Sequence, residues 1–158
     1  MICRDVQPTE LPLDGVRLAI ARSDADTVEA ADVGARAYGN DGPCPDSLRE
    51  LIERGGVLAI ARDGMTGAMI GAGVATPQQE AVTEIAGIGV LAAFRRRGIA
   101  GALTSLLARE AFARGASLAW LTPEHDEARN VYARTGFVSV SEQLHISKQI
   151  GPTGTGRQ

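Results

Sequence analysis

The stretch IGVLAAFRRRGIAGALTSLLA, residues 88–108, joins a strand pattern to a helix pattern through a loop with three consecutive arginines. The first amides of a helix have no intrahelical acceptor, and here they point toward the arginine loop. Gly98, Ala100 and Gly101 are small, so a ligand can approach this backbone closely. Free amides and the positive end of the helix dipole favour an anion, and arginines add charge-assisted hydrogen bonds. Three arginines alone also fit a solvated turn, but this context predicts a pyrophosphate cradle.

Two other phosphate motifs compete for the same residues. The P-loop needs a Gly-Lys-Ser/Thr ending, which the chain lacks. The dinucleotide fingerprint is suggested by Gly87-Ile88-Gly89, but a long loop follows instead of an immediate helix. The acidic residue expected about twenty positions later would be Glu110, inside a helix and not at a strand end. Neither motif accounts for the stretch.

The composition is that of a single globular domain of 158 residues, 44% hydrophobic and 22% charged. No apolar run is long enough to span a membrane, and the net charge of -3 counts against nucleic-acid binding. The N-terminus lacks the apolar core of a signal peptide, so we expect a cytoplasmic protein. Cys3 and Cys44 lie far apart without metal-ligand spacing, and we expect neither a disulfide framework nor a metal site.

Strand and helix patterns alternate and predict a mixed α/β domain of the α+β type, in the order β-α-α-β-β-β-α-β-α-β. In the first half, residues 16–21 read as a strand, and a helix follows from its cap at Ser23 to Gly39. A capping box of Ser47 and Glu50 predicts the start of the second helix.

In the second half, a hairpin turns at Asp63-Gly64, and a third apolar run over residues 80–91 has strand character. The helix from Gly98 is followed by a strand and by a helix that Thr122 caps, with Pro123 in its first position. The predicted last strand covers residues 137–149. We assign residues 1–14 to an N-terminal arm, 15–149 to the domain and 150–158 to a flexible tail.

Two motifs give the chain a family resemblance. The spacing Arg95-x-x-Gly98-x-Ala100 after a strand resembles the Arg/Gln-x-x-Gly-x-Gly/Ala signature of the GNAT superfamily of N-acetyltransferases. The stretch ARNVYARTGF, residues 128–137, is similar to the family's later helix with its Tyr and terminal Gly-Phe. The resemblance extends from Val16 to about Lys148 and implies a single GNAT-like domain with a mixed central sheet flanked by helices.

The resemblance implies that the chain binds acetyl-CoA as co-substrate, without a metal. Amides of residues 96–101 would hold the pyrophosphate, with Arg95–Arg97 adding charge, and the strand end at Val90–Ala92 would splay and offer backbone groups to the pantetheine arm. His125 stands where the family often has an asparagine that contacts the cofactor. The implied cofactor-binding residues are Val90, Leu91, Ala92, Arg95, Arg96, Arg97, Gly98, Ile99, Ala100, Gly101 and Asn130.

Two residues are implied for catalysis. Tyr132 would lie near the thioester sulfur and protonate the leaving thiolate; the alternative is a ring packed on the core. Glu84, eleven residues before Arg95, matches the place where some members keep a general base; the alternative is a solvent-facing charge. Acyl transfer needs a neutral amine, so a carboxylate that removes a proton contributes typically about 10²–10⁴-fold.

The expected function is therefore acetyl-CoA-dependent N-acetylation of a primary amine by direct transfer in a ternary complex. The acceptor is left open between small-molecule and peptide amines. The alternative is a catalytically weak CoA-binding or regulatory domain. Similar proteins often dimerise, so a homodimer is a further expectation, whereas nucleic-acid and membrane partners are not expected. His145, in the predicted last strand, is interpreted as structural.

Overall fold

Within the described residues, strands and helices follow one another in the predicted order up to the last helix, with one strand added at the N-terminus. The computed structural model describes residues 1–5, 13–39 and 42–140. Their elements are β1 (Ile2–Cys3), β2 (Val16–Ile20), α1 (Asp24–Tyr38), α2 (Pro45–Glu53), β3 (Val57–Asp63), β4 (Met69–Ala75), β5 (Val82–Val90), α3 (Ile99–Ala113), β6 (Leu118–Trp120) and α4 (Asp126–Ala133). None of the helices in this described part is long and apolar enough to cross a membrane.

The strands of the described residues form one mixed sheet in the order β1-β6-β5-β4-β3-β2, and among these strands only the β5–β6 pair is parallel. β3 is buried on both faces, which explains its continuous apolar run. Ala59 and Ala61 belong to the cluster that includes α3, whereas Leu58 and Ile60 pack with α1 and α2. The predicted α+β class with helices on both faces of a mixed sheet is confirmed.

The ends of α1 are fixed by the residues that the sequence singles out. The Ser23 hydroxyl accepts from the Asp26 amide at 3.1 Å, and the Asp26 carboxylate accepts from the Ser23 amide at 3.1 Å. Gly39 closes the helix with φ at 70°, a left-handed conformation that favours glycine. Arg62 on β3 pairs with Asp26 at 3.0 Å and with Glu29 at 2.6 Å. These contacts hold α1 on the sheet, with its C-terminus beside β5.

The predicted start of α2 is wrong. Cys44 is the N-cap and Pro45 occupies the first helical position, where its fixed φ suits the helix and its missing N–H costs nothing. The Ser47 hydroxyl does not cap the helix but donates to the Cys44 carbonyl at 3.2 Å.

The predicted start of α4 is also wrong. Thr122 and Pro123 precede the helix, which begins at Asp126 after the N-cap His125. The helix starts there because the His125 ring supplies the acceptor that the first turn needs: Nδ1 accepts from the Ala128 amide at 3.1 Å.

A bulge interrupts β5 beside its neighbour β4. Ala72 pairs with Gly89 and Val74 with Ala86, so Gly87 and Ile88 together lie opposite a single residue of β4. Gly87 has φ at 59°, the left-handed conformation of a glycine-type bulge. The pair Gly87-Ile88, part of the rejected dinucleotide motif, therefore bends the strand.

The parallel pairing of β5 with β6 is short. It covers the residue pairs Val82↔Leu118, Thr83↔Ala119 and Glu84↔Trp120. Beyond the last of these pairs the two strands diverge. β1 pairs with the other side of β6, although the sequence places its residues in the N-terminal arm. Of the predicted last strand, Val138 bridges to Ile2, while residues 141–149, His145 and the predicted tail lie outside the described residues.

Candidate active site

A cavity of about 520 Å³ opens where β5 and β6 diverge. Its walls come from β5, the start of α3, the end of α1, and α4 with the loop before it. Eight of the predicted site residues line it: Val90, Arg95, Arg96, Gly98, Ile99, Ala100, Gly101 and Tyr132. Other lining residues include Tyr38, Ile88, Leu121, Glu124 and His125.

The N-terminus of α3 forms one end of the cavity. Gly98 is its N-cap, with φ at 78°, and within the described residues no side chain caps the helix. The first turn contains no acidic residue, so no carboxylate of its own meets the positive end of the dipole. The amides of Ile99, Ala100 and Gly101 are therefore available to an anion at the cavity.

The three arginines beside this helix start differ in what they contact. Arg95 donates from Nε to the Val90 carbonyl at 3.1 Å and from its terminal nitrogen to the Ala37 carbonyl at 3.2 Å. Arg97 donates to the Asp14 carbonyl at 3.3 Å, and its guanidinium lies 5.5 Å from the centre of the Phe94 ring.

Arg96 differs from its two neighbours in its contacts. It lines the cavity and makes no hydrogen bond or ion pair within the described ranges. Its φ of 60° is unusual for a non-glycine residue and costs about 1–3 kcal/mol. Such strain recurs at functional sites, which agrees with a role in binding.

Four predicted cofactor residues do not line the cavity: Leu91, Ala92, Arg97 and Asn130. The Leu91 amide donates to the Ile70 carbonyl at 2.9 Å, so β5 is still paired with β4 at this point. The edge that faces away from β4 becomes free at Ile85, earlier than the predicted splay at Val90–Ala92. Asn130 is an exposed residue of α4.

Gly101 lines the cavity and also lies against α4. A Cβ at this position would lie 3.4 Å from Val131 Cγ1 and 3.5 Å from Thr135 Cγ2. The missing side chain lets α3 and α4 pack closely, while the Gly101 amide belongs to the first turn of α3.

Two tyrosines from different helices line the cavity. Burial raises the pKa of Tyr132, and the negative charge of Glu124 raises it further. Burial raises the pKa of Tyr38 to about 12, and its hydroxyl donates to the Ile88 carbonyl at 2.8 Å. Both hydroxyls are therefore protonated donors at neutral pH. Tyr38 and Glu124 escape notice in the sequence because no local motif marks them.

Glu84 is not in this cavity. It lines a second one of about 860 Å³, together with Trp120, Glu50 and Glu80 among others. Burial raises the pKa of the Glu84 carboxyl. Glu84 and Trp120 line the second cavity, and the residues that directly follow them in the chain, Ile85 and Leu121, line the first. The two cavities are therefore adjacent, one on each side of the point where the pairing of β5 with β6 ends.

Sulfur and acidic side chains form no metal centre in the part of the chain that the structure describes. There, no group of three or more His, Cys, Asp or Glu residues is placed to hold an ion. Cys3 is a buried free thiol and Cys44 an exposed one.

His125 stabilises α4, and its replacement tests this role. We expect His125→Ala to lower the free energy of unfolding by about 1 kcal/mol, because it removes the N-cap acceptor. His125→Asn keeps an acceptor and should stay close to the wild-type value. Urea denaturation with an unchanged slope measures both, and equal stability of the two variants would contradict the capping role.

A family model described as "Acetyltransferase (GNAT) family" matches residues 29–137. Among solved structures, a GCN5-related N-acetyltransferase from Kribbella flavida is 30% identical, with a TM-score of 0.65. The match covers 84% of this chain and 49% of that one, so this chain spans about half the length of that relative. A search of curated protein sequences found no significant match.

Two further structures share the fold at lower identity. AAC(6')-Iy in complex with the bisubstrate analog CoA-S-monomethyl-acetylneamine is 19% identical, with a TM-score of 0.68, over 85% of this chain and 99% of that one. The aminoglycoside antibiotic 6'-N-acetyltransferase AAC(6')-Ih from Acinetobacter baumannii is 18% identical, with a TM-score of 0.66, over 87% of this chain and 100% of that one.

Proposed function

This chain belongs to the acetyltransferase (GNAT) family, as its two motifs predicted, and on that premise we propose that it transfers an acetyl group from acetyl-CoA to a primary amine while both are bound. The observation that carries the proposal is the uncapped start of α3, which opens on the cavity between the diverging strands. A structural helix end usually carries a side-chain cap, whereas an anion-binding one leaves its amides free.

The residues around the cavity fit acetyl-CoA as co-substrate. The amides of residues 99–101 and the guanidinium of Arg96 suit the pyrophosphate. Beyond Glu84, the free edge of β5 offers backbone groups to the amides of the pantetheine arm. When bound, acetyl-CoA supplies an activated thioester. The protein's part is to hold it beside the amine, and such proximity is worth roughly 7–11 kcal/mol.

Tyr132 is proposed as the proton donor to the departing thiolate. Its raised pKa keeps the hydroxyl protonated at neutral pH, and it lines the same cavity as the cradle. We expect Tyr132→Phe to lower kcat about tenfold, less than the usual general-acid contribution of about 10²–10⁴-fold, because a thiolate is already a fair leaving group. The Kd for acetyl-CoA should stay within about threefold. Equal turnover of variant and wild type would end this role.

The second cavity is proposed as the acceptor site. Glu84 would accept a proton from the ammonium group, directly or through water, and so produce the neutral amine that attacks. Glu50, Glu80 and one cation, Arg54, line the same cavity, and Arg54 pairs with Glu50 at 3.7 Å. With Glu84 the acidic side chains outnumber the basic one, so the charge of the cavity favours a cationic amine. The aminoglycoside acetyltransferase that shares the fold is named for a substrate of this kind, which supports a small-molecule amine.

The first experiment is calorimetry with acetyl-CoA and, as control, inorganic phosphate. Binding of acetyl-CoA no tighter than that of phosphate would refute the cradle. The second experiment measures CoA release with a panel of small-molecule and peptide amines. Tight binding without CoA release favours the second candidate, a CoA-binding domain with weak catalysis. That candidate is motivated by Glu84, which lies in a different cavity from Tyr132.

A further inference from the structure

The free edge of β5 has a defined set of backbone groups. The Leu91 amide donates to Ile70 on β4 at 2.9 Å, and Gly89 pairs with Ala72 two residues earlier. In an antiparallel ladder, alternate residues direct both their N–H and C=O to the same neighbour. The residues on either side of Gly89, Ile88 and Val90, therefore direct their N–H and C=O away from β4, toward the cavity where β6 no longer pairs.

Both carbonyls on this edge already have a donor. The Tyr38 hydroxyl donates to the Ile88 carbonyl at 2.8 Å, and Arg95 Nε donates to the Val90 carbonyl at 3.1 Å. The amides of Ile88 and Val90 are what the edge then presents to a ligand. An edge of this kind favours the carbonyl oxygen of a ligand over its N–H groups.

The end of α1 packs against β5 directly beside the bulge. A Cβ on Gly89 would lie 3.1 Å from Ala37 Cβ and 3.3 Å from Tyr38 Cε2, so helix and strand are in direct contact there. Arg95 also donates to the Ala37 carbonyl at 3.2 Å. Burial raises the pKa of Tyr38 to about 12, so its hydroxyl remains a donor through the neutral and mildly alkaline range.

We propose that Tyr38 is a positioning residue, whose hydroxyl holds the Ile88 carbonyl so that the Ile88 amide stays directed at the carbonyl oxygen of the bound acetyl group. The inference rests on the proposed function. When the amine nitrogen bonds to the thioester carbon, an electron pair moves onto that oxygen, and it returns as the carbon–sulfur bond breaks. A fixed amide donor stabilises this developing charge.

Binding measurements test the inference without knowledge of the amine. We expect wild-type protein to bind acetyl-CoA more tightly than CoA, because only acetyl-CoA carries the acetyl carbonyl oxygen that the Ile88 amide would bind. Tyr38→Phe keeps the ring against Gly89 but removes the hydroxyl, and should reduce the ratio of the two Kd values about three- to tenfold, the worth of one hydrogen bond. An equal ratio in variant and wild type, or no preference in wild type, would overturn the inference.

A merely structural role of Tyr38 would weaken the binding of acetyl-CoA and of CoA equally, and would leave the ratio of the two Kd values unchanged.

An NMR measurement on wild-type protein tests the inference even if the Tyr38→Phe variant fails to fold. The amide proton of Ile88 should move to lower field in NMR spectra on addition of acetyl-CoA, and move less on addition of CoA. Equal shifts with the two ligands would overturn the inference alone. If neither ligand binds wild-type protein, the proposed function fails as well, which distinguishes the two failures.

Discussion

Gly98→Val is expected to weaken acetyl-CoA binding about 100-fold, since loss of one charge-assisted hydrogen bond costs about 1.5–3 kcal/mol. Gly98 has φ at 78°, a conformation in which a β-branched residue is strained. A Cβ there would also lie 3.2 Å from Leu13 Cδ2. The N-cap must shift to relieve both, and the first amides of α3 move with it. Calorimetry with acetyl-CoA measures the loss.

Gly115→Val is the matched control at the other end of α3. Gly115 has φ at 99°, and a Cβ on it would have no described atom within 4 Å. This variant therefore introduces backbone strain far from the cavity. We expect both variants to melt at lower temperature, but only Gly98→Val to lose affinity for acetyl-CoA. An equal loss of affinity in both would mean that general destabilisation, and not the cradle, controls binding.

Glu84→Gln is expected to lower kcat by about 10²–10⁴-fold, the usual contribution of a general base. Glutamine keeps the size and polarity of the side chain but cannot take up the proton of the ammonium group. The Kd for acetyl-CoA should stay close to wild type, because Glu84 lies in the second cavity. Steady-state CoA release with an accepted amine measures kcat.

The pH profile gives the same test a second readout. A base must be ionised to accept a proton, and burial raises the pKa of Glu84 above its ordinary value of 4.5. The wild-type rate should therefore fall as the pH drops through this raised pKa, and Glu84→Gln should lack that limb. Glu53→Gln changes an exposed carboxylate of α2 and should behave as wild type. If Glu84→Gln retained more than about a tenth of the wild-type kcat, the base role would be excluded.

The anion site proposed at α3 could be predicted from sequence because every feature that supports it is local. A helix start, small residues and the spacing from Arg95 to Ala100 lie within one short stretch. The free amides follow from helix geometry, whatever the rest of the chain does. The order of strands and helices likewise follows from local periodicity. The starts of α2 and α4 do not, because Pro45 and His125 determine where these helices begin.

Helix geometry also separates two residues that the sequence groups together. Asn130 and Tyr132 are two positions apart on α4, and residues at that spacing do not share a helix face. Tyr132 lines the cavity and Asn130 is exposed. The period of the helix, applied to the motif, already indicates that only one of them reaches the cavity.

The roles of the arginines needed the tertiary structure. Arg95 and Arg97 contact carbonyls of Ala37 and Asp14, 58 and 83 residues away, so their charges are engaged once α1 and the segment before β2 have docked. Arg96 is left facing the cavity because its backbone adopts a strained turn, which no composition rule predicts.

By itself the sequence determined the fold class, because side-chain periodicity suffices for it, and its two motifs carried the resemblance to the family. It also located the helix start for which anion binding is proposed, since the free amides there depend only on local geometry. Only the tertiary structure brought Tyr38 to Ile88 across 50 residues and set Glu84 and Tyr132 in separate cavities. The physical reason is that these placements depend on where β5 and β6 part. Strand pairing and the packing of α1 on the bulge fix that point, and both are contacts between residues distant in the chain.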